Sequence, residues 1–162
     1  MSTRKRGVFI SFQHDDLDQA RGFQLLAHNP KVTFDFNGRH LITQVASKDE
    51  EYVGRSIREK LKGTSVTVVL CGKKTSESDW VRKEIEWSGA KTPPNELVAI
   101  KLQSDAAVPP GLAAAGAEVL DWTKPEDTRE FGAAIERAAS RREQRVRAQD
   151  FSGGSVGKGC GR

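Results

Sequence analysis

Two cysteines and three histidines are all that this 162-residue chain offers for thiol or soft-metal chemistry. Cys71 ends an apolar run and Cys160 sits in a glycine-rich segment, without the close spacing of a metal site or the density of a disulfide scaffold. Cys71 is either a reactive thiol or a small hydrophobe closing a strand. His14, His28 and His40 have no partner four residues away and no cysteine neighbour, so no metal site is expected. Long apolar runs are missing too. No stretch of 18 apolar residues exists, and the basic start is followed by only a short apolar run, Gly7 to Ser11. The expectation is a soluble, cytoplasmic protein with neither a membrane span nor a secretory signal.

A strong charge of one sign is also absent from the body. The formal net charge is +4, but Arg4, Lys5 and Arg6 hold +3 and residues 141–162 hold another +4, so residues 7–140 come to −3. Basic ends around a mildly acidic body give no reading surface for a specific nucleic acid.

What is present alternates. Val8-Phe-Ile-Ser-Phe12 reads as a buried strand, and Asp15 or Asp16 can cap a helix bearing Leu17, Ala20, Phe23 and Leu26. Val32–Phe36 is a short second strand, followed by a polar stretch to about Lys48 that is long for such a connection. Asp49-Glu-Glu opens a helix with Val53, Ile57 and Leu61 on one stripe and Gly63 at its end. The almost continuously apolar run 65–71 suits a central parallel strand, and 96–102 and 118–122 supply two more. Thr123-Lys-Pro-Glu126 has the pattern of a capping box, ahead of a last helix with Phe131, Ile135 and Ala138 inward. Five rounds of strand and helix imply an α/β fold: a flavodoxin-like, doubly wound, parallel five-stranded sheet with helices on both faces. The expected divisions are a basic N-terminal tail at 1–6, one domain at 7–148 and a glycine-rich disordered tail at 149–162.

Several occupants of such a fold lack their residues here. A phosphate-accepting receiver needs an aspartate ending the third strand, where this chain has Leu70-Cys71-Gly72. A flavin phosphate loop after the first strand would meet Gln13-His14-Asp15-Asp16, two of them anionic. Ser152-Gly-Gly-Ser-Val-Gly-Lys-Gly159 misses the first glycine and the final Ser or Thr of a P-loop, and no strand precedes it.

The most informative segment is Trp80-Val81-Arg82-Lys83-Glu84, which opens a helix just after the third strand, at the carboxyl edge where open α/β sheets bind ligands. Helical spacing puts Trp80, Glu84 and Trp87 on one face and Val81 and Ile85 on a neighbouring stripe able to dock on the sheet. Glu84 is then either a solvated acid pairing with Arg82 or Lys83, or a carboxylate set between two indoles for chemistry. His14, at the exit of the first strand, either contacts a ligand or lies on the surface.

Val8–Asp16, Phe34-Asp35, the segment Ile57 to Gly72, Thr75, Trp80–Ser88 and Asp121-Trp122 together resemble the TIR-like domain of the Thoeris antiphage defence proteins, within the TIR domain superfamily, over roughly residues 7–140. The resemblance implies an enzyme that cleaves NAD⁺, with NAD⁺ as substrate and no separate cofactor, and assigns Glu84 as the catalytic residue. It implies substrate contacts at Ser11, Phe12, Gln13 and His14, and a loop beginning near Asp35 that closes over the pocket or meets a neighbouring subunit. Trp80 would wall a base or pyridinium slot, or pack against the sheet. As partners the resemblance implies a second TIR domain, through self-association, and a separate effector reached by a nucleotide second messenger. The rival reading is a non-catalytic TIR-like interaction or self-assembly module. Gln13-His14, where basic residues are common among animal TIR domains, and a less glycine-marked loop after strand two are departures from the wider pattern.

Overall fold

The computed structural model describes residues 6–25, 34–36 and 50–160. Along the chain run β1 (Arg6–Ser11), a 3₁₀ turn (His14–Asp16), α1 (Leu17–Gln24) and β2 (Phe34–Phe36). Then follow α2 (Glu50–Lys62), β3 (Val66–Cys71), a second 3₁₀ turn (Thr75–Glu77) and α3 (Asp79–Ala90). The remainder is β4 (Glu96–Lys101), α4 (Pro110–Ala114), β5 (Glu118–Asp121), α5 (Pro125–Thr128) and α6 (Phe131–Cys160). The sheet order is β2-β1-β3-β4-β5 with every pairing parallel, and β2 joins through three residues alone. This order reverses direction between β1 and β3, which creates a crevice beyond their carboxyl ends.

Both faces of the sheet are covered, so β3 is buried along its whole length. Val8, Ile10 and Phe12 of β1 and its exit join Val66, Val68 and Leu70 of β3 under α1 and α6, with Phe23, Phe131 and Ile135 enclosed there. Phe23, Trp122 and Phe131 form an aromatic triangle with ring centroids 5.6 to 6.0 Å apart. Phe9 faces the other way, into Val53, Ile57 and Leu61 of α2, with Trp80 and Trp87 of α3 packed against them. Val69, Cys71, Val81, Ile85, Leu97 and Leu112 continue that second layer toward β4 and α4. Gly7 lets β1 pass the turn before β3, because a Cβ there would run into the Gly63 carbonyl.

Two local expectations are corrected. Asp16 precedes α1 but makes no capping bond, since its carboxylate is turned toward Gly72 and Thr75. Thr123 does not close a capping box: its hydroxyl and amide both donate to Asp121 Oδ1, at 2.6 and 2.8 Å, while Lys124 precedes α5. The backbone of α6 runs from Phe131 to Cys160. Ala138–Ala148 is rich in strong helix formers, and each residue added to an existing helix costs little. The long loop after strand two and the strand-two residues before Phe34 lie outside the described residues, as do 1–5 of the basic tail.

Candidate functional site

Ser11 ends β1, and α3 crosses the sheet directly above it. Helix α3 starts because Ser78 caps it, its hydroxyl accepting the Val81 amide at 3.3 Å, with Asp79 in the first turn complementing the helix dipole. Its buried face is Val81, Glu84, Ile85 and Ser88, the i, i+3, i+4, i+7 pattern of a docked helix. Glu84 therefore belongs to the docking stripe, not to an open face shared with the indoles; it is 1% exposed, and the reading of it as a solvated helix acid is corrected. The Ser11 hydroxyl donates to Glu84 Oε1 at 3.1 Å, across 73 residues of sequence.

Below Glu84 lies a chain of buried polar groups. Ser88 Oγ donates to the Glu84 carbonyl at 2.7 Å, which uses its one proton, so the 2.7 Å contact between Thr67 and Ser88 has Thr67 as donor. Asn95 Nδ2 donates to both Thr67 Oγ1 (3.0 Å) and Thr64 Oγ1 (2.8 Å), and Asn95 Oδ1 accepts from Lys91 Nζ at 2.8 Å. Every donor in this line from Lys91 to Glu84 points the same way.

A second polar cluster caps β3. Gly72 N donates to Thr75 Oγ1 at 2.8 Å, Thr75 Oγ1 reaches the Leu70 carbonyl at 3.1 Å, and the Asp16 carboxylate lies against Gly72 at 3.4 Å from Thr75 Oγ1. Burial raises the Asp16 carboxyl above its ordinary range, the Thr75 bond opposes the rise and Asp15 adds to it. Cys71, beneath, has its thiol pushed up to about 12, first by burial and then by the Asp16 charge, so it behaves as a buried hydrophobe and not as a nucleophile.

Of the residues singled out in the sequence, Ser11 and Glu84 are brought into contact. Trp80 is on the same helix, half-buried against Phe9, Val53, Ile57 and Leu61, with its ring 6.4 Å from that of Trp87 and the Lys83 ammonium 4.8 Å above it. Phe12 is 6% exposed and packs on the opposite face of the sheet, under α1 and α6. Gln13 lies at the edge, where its Oε1 accepts the Asp15 amide at 2.7 Å and shapes the turn. The backbone of His14 opens that turn. Asp35 pairs in register with Gly7, four residues before Ser11. Four residues span about 13 Å along a strand, so Asp35 stands well back from the carboxyl edge.

Sequence reasoning missed the Thr67, Ser88 and Asn95 line and the Asp16, Gly72 and Thr75 cap. The first had a signal, since two hydroxyl residues inside otherwise apolar buried stripes must find partners. No group of three or more His, Cys, Asp or Glu that could hold a metal occurs among the described residues. No helix among them is long and apolar enough to cross a membrane.

The family model described as Thoeris protein ThsB, TIR-like domain, matches residues 9–107, which take in the second half of β1 with Ser11, β3, the whole of α3 and β4. No curated protein gives a significant match. Among solved structures, one titled "Low Resolution Structure of Response Regulator StyR" superposes with a TM-score of 0.53 at 17% identity, covering 91% of this chain and 66% of that one. At that identity the likeness is one of fold.

Proposed function

This chain belongs to the Thoeris ThsB TIR-like family, and on that premise we propose that it cleaves the bond between nicotinamide and ribose in NAD⁺ and yields a nucleotide messenger that switches on a separate effector in antiphage defence. The observation that carries this reading is the Ser11–Glu84 pair, a carboxylate held by a serine at the switch point of the sheet. Nicotinamide leaves as a neutral base, taking the bonding electron pair onto the pyridinium nitrogen, so no general acid is required. The remaining need is to stabilise positive charge growing on the ribose, and one carboxylate fixed in a low-dielectric setting answers it. Glu84 is assigned that role, Ser11 holds it in position, and Trp80 backs the helix that carries it. Attack on the ribose carbon by water gives ADP-ribose, while attack by a hydroxyl or amine of a nucleotide gives a cyclic or conjugated product, each releasing one proton.

A non-catalytic TIR-like self-association module is the second reading, and the near-complete burial of Glu84 favours it. Incubation with NAD⁺, with and without phage-infected cell extract, separates the two. Nicotinamide release that disappears in Glu84→Gln supports the enzyme. Its absence under both conditions, alongside concentration-dependent self-association, supports the module.

A further inference from the structure

At the opposite, amino-terminal edge of the sheet a cavity of about 390 Å³ opens between the ends of α2 and α3 and the side of α6. Its charged lining is Arg58, Lys62, Lys91 and Arg142, with no carboxylate among them, and Leu61, Trp87 and Pro93 supply apolar wall. Of the acids around it, Glu59 pairs with Lys62 at 2.8 Å, Glu96 at the start of β4 pairs with Arg145, and the charge of Glu143 acts on Arg142 from the neighbouring position on α6.

Helix dipoles account for part of this charge. Lys62 stands in the last turn of α2, and Lys91 follows α3 and donates to the carbonyls of Thr64 (3.2 Å) and Pro93 (2.9 Å). They do not account for the two guanidinium groups. Arg142 spends Nε on the Pro94 carbonyl (3.3 Å) and one Nη1 proton on Ser65 Oγ (3.5 Å), both neutral partners, which leaves three of its N–H groups for the cavity. Arg58 lies over the Trp87 ring at 4.9 Å, held by its face and not by an acid. Burial lowers Lys91 to about 8, with the Arg142 charge adding to the effect, and burial lowers Arg142 as well, opposed by the Glu143 charge. Cations crowded in this way, with fork-shaped donors unused, match the oxygens of a phosphate group.

We propose that this amino-edge cavity binds a small phosphorylated ligand carrying at least two phosphate charges, through Arg142 and Arg58, at a site separate from Glu84. The cavity volume suits a pyrophosphate or the diphosphate of a nucleotide. The line of hydrogen bonds from Lys91 through Asn95, Thr67 and Ser88 ends on the Glu84 carbonyl, so the two edges share one buried connection.

Calorimetric titration of the full chain with inorganic pyrophosphate, at ionic strength matched with KCl, tests the site. Saturable binding is expected, weakened at least tenfold in both Arg142→Gln and Arg58→Gln, and unchanged in Glu84→Gln. Thermal melts without ligand show whether each arginine variant is folded, and two variants on different helices guard against one that is not. An ADP titration identifies the source: tighter binding than pyrophosphate supports a nucleotide, and equal binding supports free polyphosphate. Absence of saturable binding, or binding that both arginine variants keep, or binding lost in Glu84→Gln alone, overturns the proposal.

Discussion

The Ser11 hydroxyl donates to Glu84 Oε1 at 3.1 Å, and both residues are buried, at 0% and 1% exposure. A carboxylate taken this far from water needs its partners, and a serine on the strand below fixes which way it faces. Glu84→Gln keeps an oxygen for Ser11 to bond, so the fold should survive with nicotinamide release lost. Glu84→Ala leaves a hole and strands the Ser11 hydroxyl, at a cost of about 1–3 kcal/mol in denaturant unfolding. Wild-type turnover in folded Glu84→Gln would remove the residue from the mechanism.

Trp80, on the helix that carries Glu84, bears on α2 and Phe9. Trp80→Ala should lose on the order of 2 kcal/mol or more of stability, whereas Arg82→Ala, whose partner Asp79 is also exposed, should stay within about 0.5 kcal/mol. If Trp80→Ala melts like the wild type while NAD⁺ turnover drops tenfold, the ring serves substrate stacking instead of packing.

Asp16 has a carboxyl raised above 3.8 by burial. An acid raised in the folded state contributes stability below its unfolded value, and that contribution fades as pH climbs through the folded value. Asp16→Asn should therefore melt at or above the wild-type temperature at neutral pH, and the gap between the two should narrow as pH falls toward 3.8. Melting curves from pH 4 to 7 check the sign, and a variant that is less stable at neutral pH would show that the charge is held by more than Thr75.

The backbone of α6 is helical as far as Cys160, but residues 151–160 hold four of the chain's glycines, each worth about 1 kcal/mol against a helix interior. Truncation after Asp150 should leave the melting temperature nearly unchanged. A fall of many degrees would mean that this last stretch packs on the body.

The alternation of apolar runs and helical stripes made the strands, their parallel pairing and α3 legible, because period and burial are local properties of the sequence. Register was not. The resemblance starts a pocket-closing loop near Asp35, but only the pairing with Gly7 reveals how far back that residue stands. Glu84 shows the same limit from the other side: its helical position follows from spacing, yet a glutamate on a docking stripe reads as polar until the strand serine beneath it is known. Phe12 shares one sequence motif with its neighbours, although strand alternation sends it to the opposite face from Ser11. The 3₁₀ turn at Thr75–Glu77 and the Asp16 cap depend on residues 59 apart in the chain, which no window of local pattern joins.

The line of Thr64, Asn95, Thr67 and Ser88 makes α3 a keyed part and not a greased one. Apolar contacts alone would let a helix slide or roll on a sheet among several nearly equal seats. Here one turn of travel, about 5.4 Å, would pull Ser88 from Thr67 and Glu84 from Ser11 and leave those buried polar groups without their partners, each at about 1–3 kcal/mol. Glu84 rides on that helix one turn before Ser88. Its distance from Ser11 is thus set as a tooth is set by the notch beside it, and any rearrangement that exposes the carboxylate has to swing the chain around it while α3 stays in its lock.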